Sequence, residues 1–533
     1  MPSDTLPDQD TNIVETLQSL IVAFVLAMAF RGFVLEGFVI PTGSMAPTLM
    51  GAHVRFESPI TGYEYPFDAG PLGEAGAQFD PRRRLDLPDP MMTVNYPSIG
   101  IPAGALRANV RMGDRVLVLK TLYSLFDPRR FDVVVFKNPT DPVGDTQNYI
   151  KRLIGLPNEK ILLLDGDVFV GPASAPGLDG FQVQRKPEHV QRAVWQAVYD
   201  TDFVPIELNR YEQATGRAWP GAPWRAPGWS TKDRVYRWST ADPTELMWDN
   251  VVRPINDWTA YNVLRGSMTQ FPVSDIRVAA AIVADDPQQL ATTLTLETRR
   301  HRFTFTLADG RATVAMHHAE DPSISREESA PLALPGPGRS FEVEFWHADQ
   351  SLSIWIDGQR IVKLDYDWSP EERLLSAFNG RTMEQYVRDP HSQFPTQPKV
   401  DWSFRGSPVA LRRIRLDRDL YYRPARLNPS DQFQSNGPFI EGLARATDPM
   451  DPLRLGADQF FMLGDNSPAS RDGRMWGRPH PLVAQQLGDD TPFVVNRHLL
   501  LGKAWAVYFP APLPLNPGGR AFVPDLGRMR FIR

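Results

Sequence analysis

An apolar stretch near the start of the chain predicts a single long helix. The sequence LQSLIVAFVLAMAF, from Leu17 to Phe30, contains no charged residue, and such a run is typical of a buried or membrane-spanning helix. It reaches the length of a membrane span if Arg31 extends toward the lipid surface or the helix continues to Leu35. We therefore predict a transmembrane anchor over 12–36, preceded by an N-terminal tail over 1–11.

Two alternatives to an anchor follow from the same stretch. The residues Ala27-Met28-Ala29 fit the small-x-small rule for a cleavable signal peptide, and a buried core helix is the other alternative. A signal peptide is disfavoured because no Lys or Arg precedes the apolar run, which follows an acidic tail instead. The first basic residue, Arg31, lies after the run, so the charge pattern does not place the rest of the chain outside the cell.

Short runs with strand character follow the helix and continue to residue 171. The clearest are RVLVLK (Arg115–Lys120), DVVVFK (Asp132–Lys137), NYIKRLIG (Asn148–Gly155) and KILLLDGDVFVG (Lys160–Gly171). Asp165-Gly166 in the last run is a type I′ turn signal, which predicts a hairpin there. A piece rich in Pro and Gly, over 51–110, interrupts this region.

A second strand-rich region, over 172–430, has the pattern of a separate domain. After an irregular stretch rich in Trp and Pro, apolar and polar residues alternate over many short runs, with tight-turn signals at Asp309-Gly310 and Asp357-Gly358. Many short strands with almost no helical periodicity favour an antiparallel sandwich. The run FEVEFWHADQSLSIWIDGQRI resembles concanavalin-like or laminin-G-like jelly rolls. The last region, over 431–533, returns to the first pattern, so 172–430 is predicted to be an insertion.

Composition excludes several classes of function. A chain of 533 residues is long enough for two or three domains. Its net charge of −6 gives no support for binding nucleic acid. Because the chain has no cysteine, disulfides, thiol catalysis and cysteine-bound zinc are all excluded. The nine histidines are scattered, and the adjacent His317 and His318 would face opposite sides of a strand. We therefore predict neither a metal site nor a cofactor.

The segment GFVIPTGSMAPTLMGAH, directly after the predicted anchor, contains the first candidate for chemistry. Ser44 follows Gly43, and a serine on a constrained turn can present both its hydroxyl and its backbone N–H to a substrate. No histidine lies in a recognisable catalytic context, so the base would be a lysine that burial keeps neutral. Lys151 and Lys120 both lie in apolar strands, and the residues alone do not decide between them.

Five segments, in order, carry a family resemblance. FVIPTGSMAPTL, RMGDRVLVLK, DVVVFKNP, YIKRLIGLPNEKI and GDNSPASRDGRMWG resemble the successive conserved boxes of type I signal peptidases, in which a membrane segment precedes the first box. The resemblance covers 36–50, 111–171 and 460–510. It implies a mainly β protein: an antiparallel β catalytic domain of the signal-peptidase type, an N-terminal transmembrane helix and a large inserted β-sandwich. The catalytic domain would consist of 37–171 and 431–533, on either side of the insertion.

The resemblance implies a catalytic role for four residues. Ser44 matches the nucleophile and Lys151 the general base, which leaves Lys120 as a structural residue. The backbone N–H of Ser44 and the hydroxyl of Thr42 would form the oxyanion hole. Ser470 matches the serine whose hydroxyl orients the lysine.

Further matches concern support and substrate binding. Asp472 and Arg474 match a supporting ion pair. Small apolar pockets for the −1 and −3 residues of the substrate would be shaped by Phe38, Ile40, Pro41, Met45, Leu49, Tyr149 and Ile150. Such pockets explain a preference for Ala-X-Ala, because larger side chains would clash.

These matches predict a serine endopeptidase that removes N-terminal signal peptides from exported preproteins after an Ala-X-Ala site. Its partners would be such preproteins and membrane lipid, and no nucleic acid. The resemblance places it in the inner or plasma membrane, single-pass, with the catalytic domain extracytoplasmic. The insertion is predicted to be non-catalytic, with a glycan or envelope component as a candidate ligand. The alternative is an envelope- or glycan-binding membrane protein on an inactive peptidase scaffold, which the retention of Ser44, Lys151 and Ser470 disfavours.

Overall fold

Strands make up most of the secondary structure along the chain. The structure is a computed structural model, and it describes residues 13–73, 80–92, 98–141, 143–144, 146–205, 207–216, 218–265, 268–321, 323–389, 395–432, 437–514 and 522–532. The larger sheets are antiparallel throughout, so the prediction of a mainly β protein is confirmed. The tail predicted over 1–11 lies outside the described residues.

The apolar stretch forms helix α1 (Ile13–Ala29), which is followed by one π-helical turn (Phe30–Val34). Apolar side chains are exposed along α1, as at Leu20 and Phe24. Among the described residues, no helix combines the length and the apolar character that a membrane crossing requires. The membrane span over 12–36 is therefore not confirmed and stays a prediction.

Elements on both sides of the predicted insertion build one unit, the peptidase-like unit. The elements before the insertion are β1 (Leu35–Val39), β2 (His53–Glu57), β3 (Glu64–Asp68), α2 (Gly70–Gly73), β4 (Arg84–Pro88), β5 (Ser98–Pro102), α3 (Ala103–Ala108), β6 (Val110–Arg111), β7 (Arg115–Leu119), α4 (Leu122–Leu125), β8 (Val133–Lys137), β9 (Asn148–Gly155), β10 (Glu159–Leu164) and β11 (Asp167–Pro172).

The insertion contributes most of the remaining elements. They are β12 (Gln182–Val183), α5 (Glu188–Val194), β13 (Gln196–Asp200), α6 (Leu208–Thr215), β14 (Trp224–Arg225), β15 (Tyr236–Trp238), β16 (Thr244–Trp248), β17 (Ile276–Ala284), β18 (Ala291–Thr298), β19 (His301–Ala308), β20 (Arg311–His318), β21 (Ser325–Pro331), β22 (Ser340–Ala348), β23 (Ser351–Ile356), β24 (Gln359–Asp365), α7 (Pro370–Phe378), α8 (Met383–Arg388), β25 (Lys399–Arg405) and β26 (Val409–Arg418).

The chain then returns to the peptidase-like unit. The elements there are β27 (Leu453–Arg454), β28 (Gln459–Leu463), α9 (Pro481–Leu487), β29 (Val495–Asn496), β30 (Leu500–Phe509), β31 (Leu513–Pro514), β32 (Phe522–Val523) and β33 (Arg530–Phe531).

The central sheet of the peptidase-like unit combines strands from before and after the insertion. Its strand order is β1-β7-β30-β8-β9-β28-β29, with β33 paired to β30. On β9, Lys151 lies opposite Val134 of β8, and Arg152 lies opposite Leu463 of β28. The insertion therefore interrupts the chain without interrupting this sheet, and the segments 111–171 and 460–510 meet in one structure.

The insertion forms two seven-stranded sheets that pack face to face. One contains β13-β26-β17-β22-β23-β24 with β15 paired to β26, and the other runs β14-β16-β25-β18-β19-β20-β21. Inward-facing residues of both sheets share one core, in which the rings of Phe345 and Trp402 lie 5.6 Å apart. The turns at Asp309-Gly310 and Asp357-Gly358 have the positive φ angles that tight hairpins require. The sandwich follows from alternation that gives each strand one buried face.

Buried charges fix the insertion to the peptidase-like unit. The hairpin predicted at Asp165-Gly166 joins β10 to β11 with φ angles of 50° and 92°, as a type I′ turn requires. At this turn, Asp165 accepts hydrogen bonds of 2.6 and 2.8 Å from Arg299 and forms a 3.0 Å ion pair with Arg373. All three side chains are buried, so the two units share an interface that excludes water.

Candidate active site

Ser44 lies in a short 3-10 turn, Gly43–Met45, between β1 and β2. The turn is held at both ends by backbone hydrogen bonds, from the Ile40 N–H to Asp114 and from the Ala46 N–H to Gly43. The Ser44 carbonyl accepts a 3.1 Å bond from the Asn466 N–H. Gly43 and Met45 are buried while Ser44 is half-buried. The turn therefore presents the serine from an otherwise closed surface.

Lys151 lies against Ser44 at hydrogen-bond distance. Its Nζ is 2.8 Å from Ser44 Oγ and donates a 3.0 Å bond to the Ile150 carbonyl. The residue is 4% exposed. Desolvation lowers the pKa of Lys151 to about 8, against the opposing attraction of Asp472 and Asp465. A fraction of the lysine is therefore neutral near pH 7, the form that can take a proton from a serine.

The other candidate lysine has different surroundings. The Nζ of Lys120 donates a 3.0 Å bond to the Gly32 carbonyl and forms a 3.1 Å ion pair with Glu36. Its side chain is 31% exposed. Among the described residues, Lys120 Nζ therefore contacts Gly32 and Glu36 rather than Ser44.

The ion pair expected between Asp472 and Arg474 is present and buried. Arg474 donates bonds of 2.9 and 2.8 Å to the two carboxylate oxygens of Asp472, and both side chains are 0% exposed. Asp472 also accepts a 3.0 Å bond from the Gly464 N–H. Arg474 donates a 2.9 Å bond to Ser467 Oγ. The pair thus fixes the loop that carries Ser470.

Ser470 is buried in this loop and lines the same cleft as Ser44 and Lys151. Among the described residues, its hydroxyl oxygen has no hydrogen-bond partner. A Cβ on Gly464 would lie 2.0 Å from this oxygen, so only glycine fits there. The hydrogen bond by which Ser470 would orient Lys151 stays a prediction.

A second buried ion pair was missed at the sequence level. Arg152 donates bonds of 2.8 and 2.6 Å to Asp465, and Thr48 Oγ1 donates a 2.5 Å bond to the same carboxylate. The three side chains join β9, the loop after β28 and the segment that follows the Ser44 turn. Arg152 and Asp465 each lie in a matched segment, and an unpaired charge at either buried position would be costly. Opposite charges in two of the matched segments are therefore the sequence signal from which this ion pair could have been predicted.

An open cleft of about 760 Å³ runs past Ser44 and Lys151. It is lined by Pro41, Thr42, Ser44, Gln147, Asn148, Tyr149, Ile150, Lys151, Arg265, Asp431, Pro468, Ala469, Ser470, Arg471 and Met475. Of the residues expected to shape substrate pockets, Pro41, Tyr149 and Ile150 lie in this lining. Ile40, Met45 and Leu49 are 2%, 0% and 0% exposed and form a core with Ile150, against which Phe38 packs.

Comparisons with known proteins find similarity to signal peptidases. The family model for signal peptidase, peptidase S26, matches residues 91–193. The probable signal peptidase I-2 of Synechocystis sp. is 34% identical over 126 residues, which cover 23% of this chain and 55% of that protein. The resemblance to type I signal peptidases is confirmed. Signal peptidase I of Pseudomonas fluorescens is 31% identical over 142 residues, 24% of this chain and 46% of that protein.

The matches to signal peptidases are partial. The chain spans about half the length of these curated relatives, and the family match includes Lys151 but neither Ser44 nor Ser470. Among solved structures, a carbohydrate-binding module from Bacillus subtilis is 7% identical and covers 37% of this chain and 95% of its own, with a TM-score of 0.22. That value is too low to support an argument about the insertion.

One cluster of carboxylates lies outside the lining of the cleft that contains Ser44 and Lys151. Oxygen atoms of Asp167, Asp275 and Asp349 lie within 4.8 Å of one another, and all three residues are buried. Lys186 donates a 2.5 Å bond to Asp349, and Arg373 lies 3.6 Å from Asp167. Burial raises the pKa of Asp167 to about 6. Lys186 and Arg373 place two cationic groups against these three carboxylates, so the cluster joins the hairpin to the insertion through buried charges.

Proposed function

We propose that this chain is a serine endopeptidase that removes signal peptides from exported preproteins, with Ser44 as nucleophile and Lys151 as general base. The observation that carries the proposal is the 2.8 Å contact between Lys151 Nζ and Ser44 Oγ, made by a lysine whose pKa burial lowers to about 8. The similarity to signal peptidases supports the class of substrate.

The chemistry follows from these positions. Neutral Lys151 takes the proton of the Ser44 hydroxyl as Oγ bonds to the scissile carbonyl carbon. The backbone N–H of Ser44 and the hydroxyl of Thr42 donate to the oxyanion. The carbon–nitrogen bond then breaks, and the protonated Lys151 gives its proton to the leaving amine. Water, deprotonated by the again neutral lysine, hydrolyses the ester and releases the signal peptide.

The preference for small residues is part of the proposal. Pro41, Tyr149 and Ile150 line the cleft that contains Ser44, and Ile150 belongs to a buried apolar core with Ile40, Met45 and Leu49. Small side chains at −1 and −3 would fit against this lining, whereas large ones would clash. We therefore expect cleavage after Ala-X-Ala.

Contact with a membrane is also proposed. The apolar side chains that α1 exposes along its length are the surface that we expect to meet lipid. Type I signal peptidases are generally anchored in a membrane, with the catalytic domain extracytoplasmic. A glycan or envelope ligand for the insertion stays a prediction.

Cleavage of a synthetic signal peptide with an Ala-X-Ala site tests the proposal. Detergent-solubilised protein should cut after the −1 Ala, with the site read by mass spectrometry. Ser44→Ala and Lys151→Ala should abolish cleavage. Lys120→Ala is the matched control, because its lysine pairs with Glu36 away from Ser44, and it should cut at the rate of the wild type. Full activity of Lys151→Ala would refute the assignment of the base.

A further inference from the structure

One of the segments of the insertion that reach the active site is short and lies beside Ser44. The 3-10 turn Ala260–Arg265 of the insertion lies against β3, and its Tyr261 ring packs on Gly43 in the turn that carries Ser44. At its end, Arg265 donates a 2.7 Å bond to the buried carboxylate of Asp68 on β3 and also lines the cleft. The sequence-based prediction of a non-catalytic insertion did not include a contact between the insertion and the cleft.

Within this segment, Asn262 forms a reciprocal amide pair with Asn466. Asn262 Nδ2 donates a 2.7 Å bond to Asn466 Oδ1, and Asn466 Nδ2 donates a 2.9 Å bond back to Asn262 Oδ1. Both residues are buried, at 5% and 3% exposed. The two mutual bonds fix the plane of the Asn466 amide.

Asn466 in turn holds the nucleophile turn. Its Nδ2 donates a 3.0 Å bond to the Gly43 carbonyl, and its backbone N–H donates a 3.1 Å bond to the Ser44 carbonyl. The same amide group thus contacts the residue before the nucleophile and a residue of the insertion. If Asn466 lost its partner in the insertion, its amide could rotate away from Gly43.

Tyr261 closes the other side of the turn. A Cβ on Gly43 would lie 2.2 Å from Cε1 of the Tyr261 ring, so the ring packs directly on the Gly43 backbone. Tyr261 is 4% exposed and shares a small apolar cluster with Ala46 and Met50. The turn that carries Ser44 is therefore enclosed between Asn466 and the insertion.

We propose that Asn262 is a positioning residue for the nucleophile, acting through Asn466, so that catalysis depends on the inserted domain. This inference rests on the proposed function. Asn262 does not line the cleft, so it sets the position of Ser44 without touching substrate. A displacement of about 1 Å at a reacting group costs up to ~100-fold in rate. The buried contact between Asn262 and Asn466 can therefore affect the rate although Asn262 does not touch Ser44 directly.

The test uses the full chain and the peptide-cleavage assay. Asn262→Ala should lower kcat by roughly 10-fold to 100-fold and leave KM unchanged, because no substrate contact is lost. Asn466→Ala should give a similar loss. The double variant should be no slower than Asn466→Ala alone, since Asn262 acts through that amide. Asn209→Ala, an exposed change on α6 of the insertion, is the matched control and should behave as wild type.

Thermal unfolding of each variant separates positioning from folding. If Asn262→Ala does not fold, the isosteric Asn262→Asp replaces it, which keeps the acceptor for Asn466 Nδ2 and loses the donor. Wild-type kcat in a folded Asn262 variant would overturn the inference, and so would losses that multiply in the double variant. Either of these two results would leave the proposed function intact. A wild-type protein that cuts no signal peptide would overturn the proposed function and this inference together.

Discussion

The pH dependence of cleavage is the sharpest prediction of the Ser44–Lys151 pair. The pKa of Lys151, lowered by burial from 10.5 to about 8, makes about one-tenth of the lysine neutral at pH 7. An ordinary lysine would be neutral in only about one molecule in 3,000 at that pH. Because the general base must be neutral, kcat/KM should rise roughly tenfold from pH 7 to pH 9 and then level off.

The assay is the initial rate of cleavage of one signal peptide without titratable side chains near the site, from pH 6 to pH 10. Lys120→Ala should give the same midpoint, since Lys120 pairs with Glu36. Circular dichroism at each pH establishes that the fold persists. A rate that still rises about eightfold from pH 9 to pH 10 would show a lysine with an ordinary pKa, and a plateau below pH 7 would show a different base. Either result refutes the reasoning from burial.

Three further predictions concern single side chains. Lys151→Met should be inactive, yet more stable than the wild type at pH 7 by up to about 3 kcal/mol, because the unfavourable burial of the ammonium group disappears. Denaturant unfolding should show this gain in stability shrinking as the pH rises from 8 toward 10.5, because the wild-type lysine then becomes neutral in the unfolded chain too. Arg152→Met should lower the unfolding free energy by about 3–5 kcal/mol, since Asp465 is left buried without its partner. The double variant Arg152→Met with Asp465→Leu should recover much of that loss, and a double variant no more stable than Arg152→Met would contradict the prediction. Gly43→Ala should abolish cleavage in a folded protein, because its Cβ would lie 2.2 Å from the Tyr261 ring; a peptide assay that finds normal kcat would show that the turn tolerates the shift.

The local elements could be predicted from the sequence. The apolar run of α1, the strands at 115–120, 132–137 and 148–155 and the three Asp-Gly turns all follow from the residues within each segment. Strand alternation and turn chemistry act over a few residues, so a short window contains the information that they need. The sheets of the insertion followed in the same way.

The candidate active site could not be predicted from short sequence segments, because it is formed by contacts between residues far apart in the chain. Ser44 and Lys151 are 107 residues apart, and Arg152 lies 313 residues from Asp465. The strands alone left Lys120 and Lys151 equivalent, and only the family resemblance separated them. In the structure, the sheet register places Lys151 beside Ser44 and leaves Lys120 at the surface with Glu36.

The sequence alone was thus enough to predict the strands and their turns and, through the ordered matched segments, to name candidate residues for peptidase chemistry. Three features became visible only in the folded chain: how far each lysine is buried, which charges pair with one another, and the contact of the insertion with the turn that carries Ser44. Asn262 carries no signal in its own segment, because a buried amide is defined by the partner that it meets. The physical reason is that burial and pairing are properties of the packed chain, whereas periodicity and turn preference belong to neighbouring residues.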